Sequence, residues 1–208
     1  MSMSAEDVLG RLNVSRETSD RLKKLADLLC KWNPKINLVS KTTLPDLWER
    51  HIYDSAQIFH CADHPIDHWV DIGSGGGFPG LVIAIMAAEA NSPTKLTMIE
   101  SDQRKCAFLR TVLRETGVTA NVITKRIEQA EPQNASILSA RALADLDLLF
   151  SFAERHLGET GTALFPKGAT WQKELRKAEE SWSFNHEVIT SKTEVEAVIL
   201  KVGEIRRV

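Results

Sequence analysis

Along the first third of the chain, apolar residues recur three and four apart. Along the rest they gather into short runs separated by amphipathic stretches. Leu22, Leu25, Leu28, Leu29 and Trp32 make one stripe, which predicts a helix from Ser15 to Trp32. Asn33-Pro34 should stop it, because proline lacks an N–H and disfavours α geometry in the residue before it. Upstream, Ser4 and Asp7 resemble a capping box before a short helix that Gly10 ends. After the polar link "PKINLVSKTT", Thr43 is placed to cap another helix, with Pro45 in its first turn. Trp48, Ile52, Ala56 and Phe59 form its inner face. Residues 1–62 therefore read as a helical extension.

From residue 63 the period changes. Strands are predicted at His68–Ile72, Lys95–Glu100, Ala120–Thr124, Ser136–Ala140, Gly161–Phe165, His186–Ser191 and Val195–Val202. Helices are predicted at Gly80–Ala90, Asp102–Glu115, Asp145–Leu157 (closed by Gly158) and Ala169–Ser181. Alternation of this kind predicts an α/β fold, a seven-stranded and mostly parallel sheet with helices on both faces. Only "SKTE" separates the last two strands, so they should pair antiparallel at an edge. With no repeats, low-complexity tracts or long linkers, residues 1–208 read as one domain, the extension followed by a core at 63–208.

Five glycines fall within residues 73–80, directly between the first strand and the first core helix. Such a loop holds a ligand at the carboxyl edge of a doubly wound sheet. Gly75, Gly77 and Gly80 satisfy G-x-G-x-x-G, a dinucleotide pattern that is weak alone. Two neighbours argue against a diphosphate. Asp71 ends the strand with a negative charge, and Pro79 removes an N–H donor at the mouth of the helix. A ligand with a cationic end fits better, and S-adenosylmethionine has one. Glu100, closing the second strand, is placed to accept hydrogen bonds from ribose hydroxyls, as an acid also does in NAD sites.

Composition narrows this reading only a little. Hydrophobic residues are 43%, charged residues 26% and the formal charge is −2, which describes a soluble protein with no global field for coating nucleic acid. Cys30, Cys61 and Cys106 have no paired spacing, so reduced thiols, no metal site and a cytoplasmic location are expected. The polar N-terminus and the short apolar runs predict neither a signal peptide nor a membrane span.

In order along the chain, "KWNPKINLVS", "RHIYDS", "DIGSGGGFPG", "KRIE", "SARAL" and "FPKG" resemble the RsmG (GidB) family of 16S rRNA guanine-N7 methyltransferases. The resemblance runs from about Lys31 to Lys167 and includes the extension. It implies a Rossmann-like class I S-adenosylmethionine-dependent methyltransferase fold, with guanine 527 of the small-subunit rRNA as target. Carried over by position, it implies cofactor contacts from Gly73 and Phe78, from Ile127 and Glu128 at the adenine end, and from Arg141 near the methyl donor. The motif residues Asp71, Gly75, Gly77 and Glu100 complete the expected cofactor set. The family commonly reads Arg-Ala-Glu where this chain has Arg126-Ile127-Glu128.

Guanine N7 carries a free lone pair, so its methylation needs no general base. The absence of a Ser-His-Asp or Cys-His arrangement is therefore expected. Arg141 and Lys167 are the candidate catalytic groups. The bland alternatives are an Arg141–Asp145 surface ion pair and a solvated turn lysine. Lys31, Lys35, Arg50, His51 and Arg126 are candidate RNA contacts, although His51 and Asp54 also suit an ordinary helix-surface pair. Trp32 and Trp48 fall on apolar stripes and read as core. The expected partner is 16S rRNA, free or within the small subunit or its precursor, bound by a monomer. An NAD(P)-dependent oxidoreductase and a non-enzymatic ribosome-assembly factor remain as rival readings.

Overall fold

The structure, a computed structural model, describes residues 2–208. Helices α1 (Ala5–Leu12) and α2 (Arg16–Ile36) lead to a 3-10 turn at Lys41–Thr43, then to a π-helical turn at Trp48–Tyr53 that runs into α3 (Asp54–His60). The core alternates β1 (His68–Ile72), α4 (Gly80–Ala90), β2 (Lys95–Glu100), α5 (Gln103–Thr116), β3 (Asn121–Thr124), β4 (Ala135–Ser139), α6 (Leu146–His156), β5 (Leu157–Lys167) and α7 (Trp171–Ala178). It ends with β6 (Trp182–Thr190) and β7 (Val198–Arg207). The seven strands lie in the order β3-β2-β1-β4-β5-β7-β6. The first five are parallel, and β7 runs antiparallel to both neighbours. The sheet is therefore seven-stranded and mostly parallel, as the pattern predicts.

Side chains alternate across the sheet. Trp69 and Met98 face a core shared with α4, α5 and the whole extension. Val70, Ile72, Ile99 and Leu138 face a second core under α6 and α7. Helix α4 lies between the sheet and α3, which explains why "GLVIAIM" is apolar on every side.

The extension departs from the pattern in instructive ways. Pro34 does not end α2, and the helix runs on to Asn37, whose backbone is left-handed at φ 46°. Asn33 is buried, and its Oδ1 accepts from the N–H groups of Leu38 and Val39 at 2.7 and 2.9 Å. The Asn-Pro pair thus builds the exit from the helix instead of its stop. Gly10 lies inside α1, which ends at left-handed Asn13. Thr43 caps no helix, because its hydroxyl is held by side-chain and carbonyl partners near the cleft.

At the C-terminal end β5 begins at Leu157, so Gly158 lies in a strand. Helix α7 is shorter than expected, and β6 starts at Trp182. Trp182 is buried against Phe150, and its indole N–H donates to Asp147. Long-range packing fixes that boundary, and no local pattern shows it.

Register places Ser139 of β4 beside Asp71 of β1. The Trp69 indole N–H donates to Ser139 Oγ at 2.9 Å, and Ser139 Oγ donates to Asp71 Oδ1 at 2.8 Å. Asp71 Oδ2 accepts from the first N–H of α4, that of Gly80, at 3.2 Å. The carboxyl has no solvent contact. Burial pushes its pKa up to about 6, against the lowering effect of hydrogen bonds and of the Arg141 charge.

A carboxyl whose pKa is raised in the folded state stabilises fully below its unfolded value near 4, and that contribution is lost as pH rises through about 6. Asp71→Asn removes this titration. The difference in unfolding free energy between the two proteins should therefore change in favour of Asn by up to ~3 kcal/mol between pH 4 and pH 7. Urea denaturation across that range measures it; a constant difference would show that Asp71 does not titrate there.

Candidate active site

The carboxyl ends of β1, β2, β4 and β5 open into a cleft of about 1310 Å³. It lies between β1 and β4, where the chain has run outward from β1 to β2 and β3 and then crosses back to β4 on the other side, the switch point at which doubly wound sheets bind ligands. One side is the glycine loop, with Gly73, Gly75, Gly76 and Phe78 on the wall beside Glu100, Ile127 and Glu128. Glu100 accepts from Gly75 N–H through Oε2 and from Asp102 N–H through Oε1, both at 2.8 Å. Each oxygen keeps lone-pair capacity for a hydroxyl donor.

Glycine is required at two positions, by a left-handed backbone at the first and by close approach at the second. At Gly73, with φ 63°, a Cβ would sit 2.6 Å from the Leu143 side chain. At Gly76 it would sit 2.8 Å from the Leu38 carbonyl oxygen, a backbone atom that cannot step aside. The loop that Asn33 organises therefore rests directly on the glycine loop.

Two expected cofactor residues do not line the cleft. The Asp71 carboxylate lies beneath the loop and braces it, so it makes no direct contact with the cleft, although its charge reaches Arg141 there. Gly77, at φ 86°, packs against Leu81 and Leu109. Both act through the position of the loop. Ile127 is buried in the second core, which accounts for a bulkier side chain where the family pattern has alanine.

Across the mouth, Arg141 gathers residues from two distant segments. Its Nη1 donates to the Arg50 carbonyl at 2.9 Å and to Asp54 Oδ2 at 3.2 Å, and its Nη2 donates to His51 Nδ1 at 2.9 Å. Arginine only donates, so His51 Nδ1 must be the acceptor and the ring proton lies on Nε2. That proton is donated to Thr43 Oγ1 at 2.8 Å, and Thr43 donates onward to the Ser40 carbonyl at 2.9 Å. Burial, then the charges of Arg141 and Arg50, pushes the His51 pKa down to about 3. His51 is therefore neutral with both nitrogens engaged. The Arg141 guanidinium also stands 5.4 Å from the Phe78 ring centre.

The π-helical turn and the start of α3 bring Arg50, His51 and Asp54 to the cleft together, their spacing of three and four residues setting them on one side of the helix. Asp54 Oδ1 accepts from Gln57 and from Thr193, both at 2.8 Å. Gln57 accepts from the Lys192 N–H at 2.9 Å, and Arg50 pairs with Glu194 at 3.3 Å. The loop between β6 and β7 is thereby fastened to the extension. Gln57, Thr193 and Glu194 carried no sequence signal, since their roles exist only once the chain ends meet.

The remaining candidates divide. Arg141 pairs with Asp54, so neither the Asp145 pair nor the plain His51–Asp54 surface pair is what forms. Lys167 is no solvated turn lysine, since its ammonium is held by the Ala144 carbonyl at 2.8 Å and by Glu174 at 2.7 Å, with its side chain 9% exposed. Arg126 stands on the cleft wall with Lys105 and Lys125, and Arg50 lies at the mouth. Lys31 and Lys35 are exposed on α2 and do not line the cleft. Trp32 packs against Phe108 at 5.7 Å, and Trp48 packs on the same core. Among the described residues no three His, Cys, Asp or Glu side chains gather closely enough to hold a metal, and no helix is long and apolar enough to cross a membrane.

The model of the GidB family, rRNA small subunit methyltransferase G, matches residues 18–200. The chain belongs to this family. Among its relatives, the ribosomal RNA small subunit methyltransferase G of Ruegeria pomeroyi is 59% identical over 95% of this chain and 96% of its own length. That of Cereibacter sphaeroides is 45% identical over 99% and 100%. Among solved structures, M. jannaschii TYW2 in complex with AdoMet aligns with a TM-score of 0.55 at 12% identity, covering 84% of this chain and 80% of that one. This likeness is one of fold.

In this GidB family member the contact between the extension and the glycine loop has a direct test. Gly76→Ala must separate Leu38 from the loop, and should lower the unfolding free energy by ~1–3 kcal/mol. Urea denaturation would measure the loss, and an unchanged midpoint would mean that the two loops are not in fixed contact.

Proposed function

We propose that this chain is an S-adenosylmethionine-dependent methyltransferase that methylates N7 of a guanine in 16S rRNA, guanine 527 by family resemblance. One observation carries the reading: Arg141, fixed by the extension, faces the same cleft as the glycine loop. A site with only the loop would suit many nucleosides. The sheet order, with reversed β7 between β5 and β6, also departs from the 3-2-1-4-5-6 order of dinucleotide-binding folds.

The residues fit the cofactor. Gly73, Gly75 and Gly76 present backbone to the cleft, Glu100 offers acceptors for ribose hydroxyls, and Ile127 and Glu128 line the wall where the adenine end would lie. When bound, the cofactor supplies a methyl group on a cationic sulfur, which becomes a neutral thioether once the methyl is gone. Everything else is positioning. N7 has a lone pair and no proton to lose, so no side chain needs to act as a base. His51 is consistent with this, being neutral and engaged on both sides. Its work is to hold Arg141, whose guanidinium is placed to grip the base or a neighbouring phosphate. Lys105, Lys125 and Arg126 extend a basic wall along which RNA phosphates can lie.

In this reading residues 1–62 and 63–208 work as one catalytic unit, a cytoplasmic monomer acting on the small subunit or its precursor. The N7-methylguanosine content of 16S rRNA from a deletion strain, read by mass spectrometry, should fall by one residue and return when the chain is supplied. Unchanged content would leave a non-enzymatic assembly factor. In titrations the purified protein should bind S-adenosylhomocysteine and not NADH; the reverse pattern would favour the oxidoreductase.

Arg141→Lys keeps the charge but loses the fork that joins Arg50, Asp54 and His51. It should lower kcat by ~100-fold or more while S-adenosylhomocysteine affinity changes far less. Equal losses in both would make Arg141 a cofactor-site brace.

A further inference from the structure

The cleft holds a polar pair that the methyl transfer does not use. Lys167 ends β5 and Glu174 lies in the first turn of α7; their side chains are 9% and 25% exposed and meet at 2.7 Å. The ammonium has three N–H donors, of which one goes to Glu174 Oε2 and one to the Ala144 carbonyl. The third remains. On Glu174, Oε1 has only the Thr170 hydroxyl at a long 3.4 Å. The pair therefore offers one N–H donor directly beside a carboxylate that keeps acceptor capacity on both oxygens.

Its place suits a flat ring. Both residues line the cleft with Leu148 and Phe152, apolar surfaces on which a base can lie. The strand order sets β5 two positions from β1, ~10 Å across the sheet, on the side away from Glu100, Ile127 and Glu128. A nucleoside cofactor on the β2 and β3 side leaves the β4 and β5 side for the acceptor.

We propose that the Lys167–Glu174 pair identifies the target base as guanine, Lys167 donating to O6 and Glu174 accepting from N1–H and the 2-amino group. The proposal rests on the N7-guanine reading above. Guanine places an acceptor next to donors along this edge, while adenine reverses the order at both positions. Adenine would thus set a donor against an ammonium and a lone pair against a carboxylate, and a site built around hydrogen bonds rejects such a mismatch strongly. Uracil matches guanine only at the first two groups, sets an O2 lone pair where guanine has its 2-amino group, and has no N7. Enzymes that act on an extruded base commonly read this edge while stacking the ring on apolar side chains.

The rival is a pair that only anchors α7 to β5. Small subunits reconstituted with 16S rRNA carrying guanine, inosine or 7-deazaguanine at the target position separate the two. Inosine lacks the 2-amino group and should lower kcat/KM of the native protein by ~10- to 100-fold. Glu174→Ala should cause a loss on guanine at least as large, and inosine should then cost that variant nothing more. Losses that multiply, or full activity of Glu174→Ala on guanine, would overturn the proposal. Glu174→Gln, milder for the helix, should show the same non-additivity with a smaller loss. Titration of each variant with S-adenosylhomocysteine reports whether it is folded. Methyl transfer to 7-deazaguanine would sink the N7 reading itself, a separate outcome from failure of the pair.

Discussion

A carboxyl group without solvent contact holds the cleft together. Asp71 takes a hydrogen bond from the first turn of α4 and another from β4, while its own strand carries the glycine loop. Burying an acid costs free energy, and the raised pKa of Asp71 records that cost. In return, the end of β1, the start of α4 and the end of β4 are fixed relative to one another. The loop can then be almost all backbone on its cleft side, because its shape is set from below. An acid that looked from the sequence like a ligand contact is a structural tie.

The second tie runs across the top. Arg141 leaves β4 and meets a π-helical turn from a segment some ninety residues earlier. Its partners are a carbonyl, a carboxylate and a neutral imidazole, all acceptors for a group that can only donate. A lysine could satisfy one or two of them, but not in this planar arrangement. The extension is consequently part of the cleft wall, and its packing on α4 and α5 transmits that requirement into the core.

The architecture was legible because strand and helix periods differ and the glycine-rich turn between β1 and α4 is unambiguous. Antiparallel pairing of the last two strands followed from the shortness of the link between them. Sequence reasoning failed where distant contacts override local rules. Pro34 reads as a stop, yet Asn33 supplies acceptors that let α2 finish a turn later. The 43–60 stretch reads as one helix capped by Thr43, yet Thr43 ends a 3-10 turn and the helix opens with a π turn that local propensity does not encode. Of the site, the wall residues Gly73, Phe78, Glu100 and Arg141 could be named in advance. Thr193, Gln57 and Glu174 could not, since a lone polar residue acquires meaning only from what faces it.

The fastening of the β6–β7 loop to Asp54, Gln57 and Arg50 bears on how the molecule is made. The extension and the hairpin stand on either side of all the parallel strands in sequence order, so the mouth of the cleft joins segments 135 to 144 residues apart. Until β7 has threaded between β5 and β6, Asp54 lacks its Thr193 partner and the rim is unfinished. The mouth of the cleft is thus a property of the whole folded sheet and extension together, and no fragment lacking either segment would have it.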